Sequence, residues 1–165
     1  MDKLPRVIHP LQPRALRESW SAPVAIDVLE RVGALCAEQA SQRVASAAVE
    51  VALVTRGDLD VDLGVELDAL GLVHLRMLIR GEITVTCQRC LEAMAWPIEI
   101  DADVLVIAPG ETPGREDLDY LEVDDKGTLD VFAAIDEEVM LALPTIFRHS
   151  SCEPPAPSVA RIGMA

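Results

Sequence analysis

LDVDLGVEL, Leu59 to Leu67, alternates apolar residues with Asp60, Asp62 and Glu66, broken only by Gly64. Successive side chains of a strand point to opposite faces, so this period of two describes a strand with one packed face and one wet face. VHLRMLIRGEITVTC (Val73–Cys87) continues in the same style, with Leu75, Met77 and Ile79 inward and Arg76 and Arg80 outward. WPIEIDADVLVIAP (Trp96–Pro109) again alternates acids with β-branched residues. Upstream, VEVALVT (Val49–Thr55) is a further strand candidate, and Arg56–Asp58 turns the chain. Several strands joined by short turns predict an antiparallel sheet or an open β-barrel-like core.

Helical spacing flanks this region. Ser21 as N-cap and Pro23 in the first turn, followed by Val24, Val28, Leu29, Val32 and Leu35, predict a helix over Pro23–Ala40, with Gly33 as its weak point. Val131, Ile135, Val139 and Ala142 predict a second helix over Asp130–Leu143, capped by Asp130 and ended by Pro144. Residues 110–118 form a polar loop, and YLEVDDKGTLD reads as a short strand with a turn at Asp124–Gly127. The class is α+β with a helix near each end. Residues 1–20 are an extended basic leader with a strand at Leu4–Ile8. Residues 21–148 are expected to form a single domain, and the proline-rich 149–165 a flexible tail.

A chain of 165 residues with 50% hydrophobic content fits one packed core. Aromatic content of 3% excludes a stacking platform for single-stranded nucleic acid. No run approaches the roughly 20 apolar residues of a membrane span, and nothing at the start resembles a secretory signal. The expectation is a cytoplasmic protein whose thiols stay reduced, so Cys36, Cys87, Cys90 and Cys152 are read as core, metal or redox residues.

The net charge of −14 is concentrated. Glu99 to Glu138 holds 14 acidic and 2 basic residues, while Met1 to Ile98 holds 13 and 10. Such a surface repels a phosphate backbone and attracts basic proteins. The residues expected to hold a basic partner are Glu116, Asp117, Asp119, Glu122, Asp124, Asp125, Asp130, Asp136, Glu137 and Glu138. Solubility alone is the competing explanation of the same carboxylates.

Catalysis has few carriers here. The three histidines are His9, His74 and His149, with His74 read as structural, and no glycine-rich phosphate loop, HExxH or GxSxG is present. The expectation is a protein that is not an enzyme. Cys87 and Cys90 form a C-x2-C pair, and His149 and Cys152 an H-x2-C pair about 60 residues later. Together they match a closed Cys3His zinc site in ligand identity, provided the fold returns the tail to the strand end. Thiols packed as small apolar residues, or a redox pair at a helix start, explain the C-x2-C as well. Cys36 reads as a buried residue of the first helix.

The order CQRCL (Cys87, Gln88, Arg89, Cys90, Leu91), then Gly127 through Asp130, then Leu141-Ala142-Leu143-Pro144, then His149 and Cys152, resembles the YceD family of large ribosomal RNA subunit accumulation proteins. The resemblance implies a ribosome biogenesis factor acting in synthesis, processing or stability of large-subunit (23S) ribosomal RNA. A ribosomal protein or pre-ribosomal particle is the implied partner, with no membrane. Its motif residues here are Cys87, Arg89, Cys90, Leu91, Leu143 and Pro144. Some members complete a four-cysteine zinc site with a cysteine-rich tail, where this chain offers His149 and Cys152. Direct rRNA contact through the leader, Arg76, Arg80 and Arg89, and a zinc- or thiol-dependent redox protein, are the alternatives.

Overall fold

The computed structural model describes residues 4–44, 57–113 and 119–154, without the side chains of 42–44. In chain order the elements are β1 (Val7–Ile8), β2 (Ser19–Ala25), a 3-10 turn (Ile26–Val28), α1 (Glu30–Val44), β3 (Asp58–Leu67), β4 (Val73–Thr86), β5 (Ala93–Ile107), β6 (Tyr120–Glu122), β7 (Leu129–Asp130) and α2 (Val131–Ala142). The expected strand at Val49–Thr55 lies outside the described residues, as do Glu116 and Asp117.

Strands β2, β3, β4, β5 and β6 form one sheet in that order, and β1 pairs with β7 in a second, two-stranded sheet. The fold is α+β. Its main sheet is open, with β2 and β6 at opposite edges, and is not closed into a barrel. The pairing is antiparallel except for β5 with β6, which is parallel.

The alternation in β3 does what its period requires. Leu59, Val61, Leu63 and Val65 are buried, and Asp58, Asp60, Asp62 and Glu66 are exposed. In β4 the buried set is Leu75, Met77, Ile79, Ile83 and Val85. These side chains meet Val32 of α1 and Ile135 and Val139 of α2 in one core. The opposite face is open to solvent around Asp60, Arg80 and Glu99 and is covered at the His74 and Leu105 end. Across it the register places Asp60, Arg80 and Glu99 side by side, and Asp62, Leu78 and Asp101 next to them.

The first helix starts later than its spacing predicts. Ser19–Ala25 is an edge strand antiparallel to β3, with Pro23 opposite Asp60, so Ser21 is not an N-cap. Proline is tolerated at a sheet edge because no inner ladder needs its missing N–H. SWSAPVA alternates with period two as well as three, and pairing with β3 decides in favour of the strand. The cap of α1 comes from elsewhere: Asp136 of α2 accepts the N–H of Arg31 at 2.8 Å and of Val32 at 2.9 Å. Gly33 fits because a Cβ there would stand 3.0 Å from the Ile26 carbonyl oxygen. The second helix agrees with expectation: Asp130 accepts the Ala133 N–H at 3.1 Å and the helix ends at Leu143.

β4 and β5 outrun β3, and from Gly81 they continue as a two-stranded ribbon to the turn at Cys87. Gly81 makes that extension compatible with β3. Its φ is +153°, and a Cβ would lie 2.8 Å from Leu59 Cδ2 and 3.0 Å from the Asp58 carbonyl oxygen. α1 holds the ribbon through Gln39, whose Oε1 accepts the Thr86 N–H at 2.7 Å and whose carbonyl accepts the Thr86 hydroxyl at 3.2 Å. Among the described residues no helix is long and apolar enough to cross a membrane.

Candidate metal centre

The tip of the ribbon is a tight knuckle. Cys87 N–H donates to the Glu92 carbonyl at 2.9 Å, and the Cys87 carbonyl accepts the Leu91 N–H at 2.9 Å. Leu91 closes the turn at φ 64°, in the left-handed region, with its side chain half exposed. The C-x2-C pair therefore opens a strand-to-strand turn. It does not precede a helix, as a thioredoxin-like redox pair would.

The tail reaches this knuckle because the chain turns back after α2. Phe147 is buried and packs edge-on to Trp96 of β5, with ring centroids 5.3 Å apart and planes at 76°. Its carbonyl accepts the Gln88 N–H at 2.9 Å, and two residues on the His149 N–H points at Cys87 Sγ from 3.4 Å. His149 and Cys152 are thus delivered to the cysteines. Arg89 adds a 3.4 Å hydrogen bond from Nη1 to the Cys152 carbonyl.

The four expected ligands come together. One ligand atom each of Cys87, Cys90, His149 and Cys152 lies within 4.8 Å of all the others. Cys87 Sγ is 3.7 Å from Cys152 Sγ, and Cys90 Sγ is 3.3 Å from His149 Nδ1. Tetrahedral zinc with Zn–S of about 2.3 Å and Zn–N of about 2.0 Å has ligand–ligand edges of roughly 3.8 Å (S···S) and 3.5 Å (S···N). These two separations are close to those edges, and the donor set fits a soft, four-coordinate cation.

The electrostatics agree with the geometry. Burial opposes ionisation of Cys87, but the backbone N–H groups of Cys90, His149 and Arg89 outweigh it and bring the thiol down to about 5. Cys152 moves the other way: burial and the neighbouring Cys87 and Cys90 sulfurs push it up. One sulfur is held as thiolate and another resists becoming one, a conflict that a divalent cation removes. Cys36 is buried on α1, apart from this set.

Asp136 is buried, with both carboxylate oxygens committed to α1, so it does not face a partner. Asp124 organises the β6–β7 turn by accepting the Lys126 and Thr128 N–H groups and the Thr128 hydroxyl. Asp130 caps α2 and lies 3.4 Å from Arg6. Glu122 accepts the Gly110 N–H at 3.0 Å. Asp119, Asp125 and Glu137 are exposed, and Glu138 is partly so. His74 sits between two carboxylates: Nδ1 is 2.8 Å from Asp103 and Nε2 3.4 Å from Asp68. Arg76 and Arg80 stand on the open sheet face, among Asp60, Asp62, Glu99, Asp101 and Asp103. Leu143 and Pro144 end α2 and begin the return that carries Phe147 and His149.

Sequence reasoning missed Phe147, Trp96 and Gln39, which fix the knuckle and the tail. Their contacts span dozens of residues and leave no local spacing. Phe147, an aromatic two residues before a ligand, was the one available hint.

No solved structure matches the chain. Over 155 residues it is 27% identical to the large ribosomal RNA subunit accumulation protein YceD of Haemophilus influenzae, covering 92% of this chain and 80% of that one. Residues 75–161, from β4 through the knuckle and α2 into the tail, match the family described as large ribosomal RNA subunit accumulation protein YceD. That span is more than half of the chain and holds all four clustered ligands, and the chain belongs to the YceD family.

Proposed function

We propose that this protein is a non-enzymatic ribosome biogenesis factor, acting in accumulation of large-subunit ribosomal RNA by holding a basic ribosomal protein on its acidic segment. Membership of the YceD family is the observation that carries the reading. The distribution of charge supports a protein partner over direct RNA contact. Arg76 and Arg80 share their face with carboxylates on both neighbouring strands, which weakens any grip on phosphate. The acidic segment, with Asp119, Glu122, Asp125, Glu137 and Glu138 at the surface, has the sign that attracts a basic protein.

In the same reading Cys87, Cys90, His149 and Cys152 hold zinc. Three thiols and an imidazole gathered within 4.8 Å of one another favour zinc over oxygen-seeking cations. The ion's part is structural, locking the tail to the β4–β5 hairpin. A thiol-redox role needs an accessible nucleophile, and Cys87, the sulfur favoured as thiolate, is fully buried.

Affinity purification of the full chain from growing cells, at low and at raised salt, tests the proposal. The expected result is recovery of large-subunit ribosomal proteins that weakens with salt, because exposed charges are screened over about 8 Å at physiological ionic strength. Recovery of ribosomal RNA without any ribosomal protein overturns it.

A further inference from the structure

An open groove of about 590 Å3 runs between β1, β6, β7 and the first turns of α2. Val7, Leu121 and Ala133 are apolar residues of its lining, and Val7 is 48% exposed. Glu122, Asp124 and Glu137 rim it, and among the described residues none of the three has a cationic side chain within 4.0 Å. Negative charge is crowded next to it: burial, then Asp119 and Glu137, push the Glu138 carboxyl up. Asp124 is also engaged by its own turn, where Thr128 and Lys126 hold its carboxyl below the ordinary range, and Glu122 accepts the Gly110 N–H, so Glu137 is the rim carboxylate with the fewest commitments. An apolar lining beside carboxylates without a close cationic side chain is complementary to a chain that alternates apolar and basic side chains.

The chain's own N-terminal segment illustrates such a ligand at one end of the groove. Arg6 Nε lies 3.4 Å from Asp130, and the Arg6 carbonyl accepts the Val131 N–H at 2.9 Å. On either side of Arg6, Leu4 and Ile8 are buried, while β1 pairs with β7. A short extended stretch with a basic residue between apolar ones is held by one ion pair, backbone hydrogen bonds and apolar packing.

We infer that the groove receives a second segment of this kind: an extended basic stretch of a partner protein that sets an apolar side chain on Val7, Leu121 and Ala133 while its lysines or arginines meet Glu122, Asp124 and Glu137. The inference rests on the reading that the protein holds a basic partner, and it assigns the place. The flat sheet face is a poorer choice because Arg76 and Arg80 already stand among its acids.

The test is fluorescence anisotropy with the full chain and a labelled peptide of alternating lysine and valine. Two groove variants act by different means. Glu122→Gln with Glu137→Gln removes two charges while leaving an oxygen to accept the Gly110 N–H, and Ala133→Trp fills the groove without changing charge. Asp60→Asn with Asp62→Asn removes two charges from the sheet face as a control. The expected result is peptide binding to the wild type, about tenfold weaker binding by both groove variants, and no change in the control. Thermal unfolding identifies a variant that fails to fold, and the other groove variant then decides. No binding by the wild type, unchanged binding by the folded groove variants, or an equal loss in the control overturns the inference. Capture from cells separates the two levels. If the wild type and the double glutamine variant recover the same basic ribosomal proteins equally, the groove is wrong and the functional reading stands. If the wild type recovers none, the functional reading fails with it.

Discussion

Asp136 and Val32, 104 positions apart, share a 2.9 Å hydrogen bond in which the buried carboxylate accepts the helix N–H. The other carboxylate oxygen takes the Arg31 N–H at 2.8 Å, so α2 supplies the cap that α1 lacks in its own sequence. Asp136→Ala leaves two helix N–H groups without partners and is expected to cost about 2–3 kcal/mol in urea unfolding. Asp136→Asn keeps one acceptor and should lose less. Equal stability of wild type and the alanine variant would show that α1 does not depend on this cap.

That long-range cap marks where local reading stops. The alternation of Leu59–Leu67 and Val73–Cys87 was legible because one face is dry and the other wet. Asp130 and Pro144 bounded α2 correctly because that helix carries its own signals. The start of α1 was misplaced because Ser19–Ala25 satisfies both periods, and only the presence of β3 beside it decides. The four clustered ligands were legible by residue type and paired spacing, but their convergence depends on Phe147 against Trp96, which no spacing announces. The acids of the sheet face were likewise divided in sequence between β3 and β5, and pairing through β4 brings them onto one surface.

Gly81 should resist substitution while Gly64 accepts it. At φ +153° and with Leu59 Cδ2 2.8 Å from any added Cβ, Gly81→Ala is expected to destabilise by about 1–3 kcal/mol. Gly64 has nothing within 4 Å of that position, so Gly64→Ala should be neutral or slightly stabilising. Thermal melts of the pair check this, and similar melting points would contradict it.

Phe147 couples the tail to the ribbon. Phe147→Ala removes a buried ring and its edge contact with Trp96, with an expected cost of about 3–5 kcal/mol and weaker zinc binding in a competition titration. Leu141→Ala, at a side chain 74% exposed, should change stability by no more than about 0.5 kcal/mol.

The Cys87 thiol sets a pH dependence in metal-free protein. Its folded value of about 5 lies below the ordinary 9.0, so the fold favours the thiolate. The resulting stabilisation is complete above pH 9.0, shrinks as pH falls through that range, and is lost below about 5. Unfolding free energy measured with chelator across this window should fall toward acid for the wild type more steeply than for Cys87→Ser. Ultraviolet thiolate absorbance should persist at neutral pH in the wild type and be lost in that variant.

Native mass spectrometry of the full chain, as purified and after zinc addition, tests the metal centre most directly. The expected result is one zinc ion per chain, removed by a strong chelator and absent from Cys90→Ser and His149→Ala. Chains that remain metal-free in excess zinc, with Cys87, Cys90 and Cys152 all reacting freely with a thiol reagent, would contradict it.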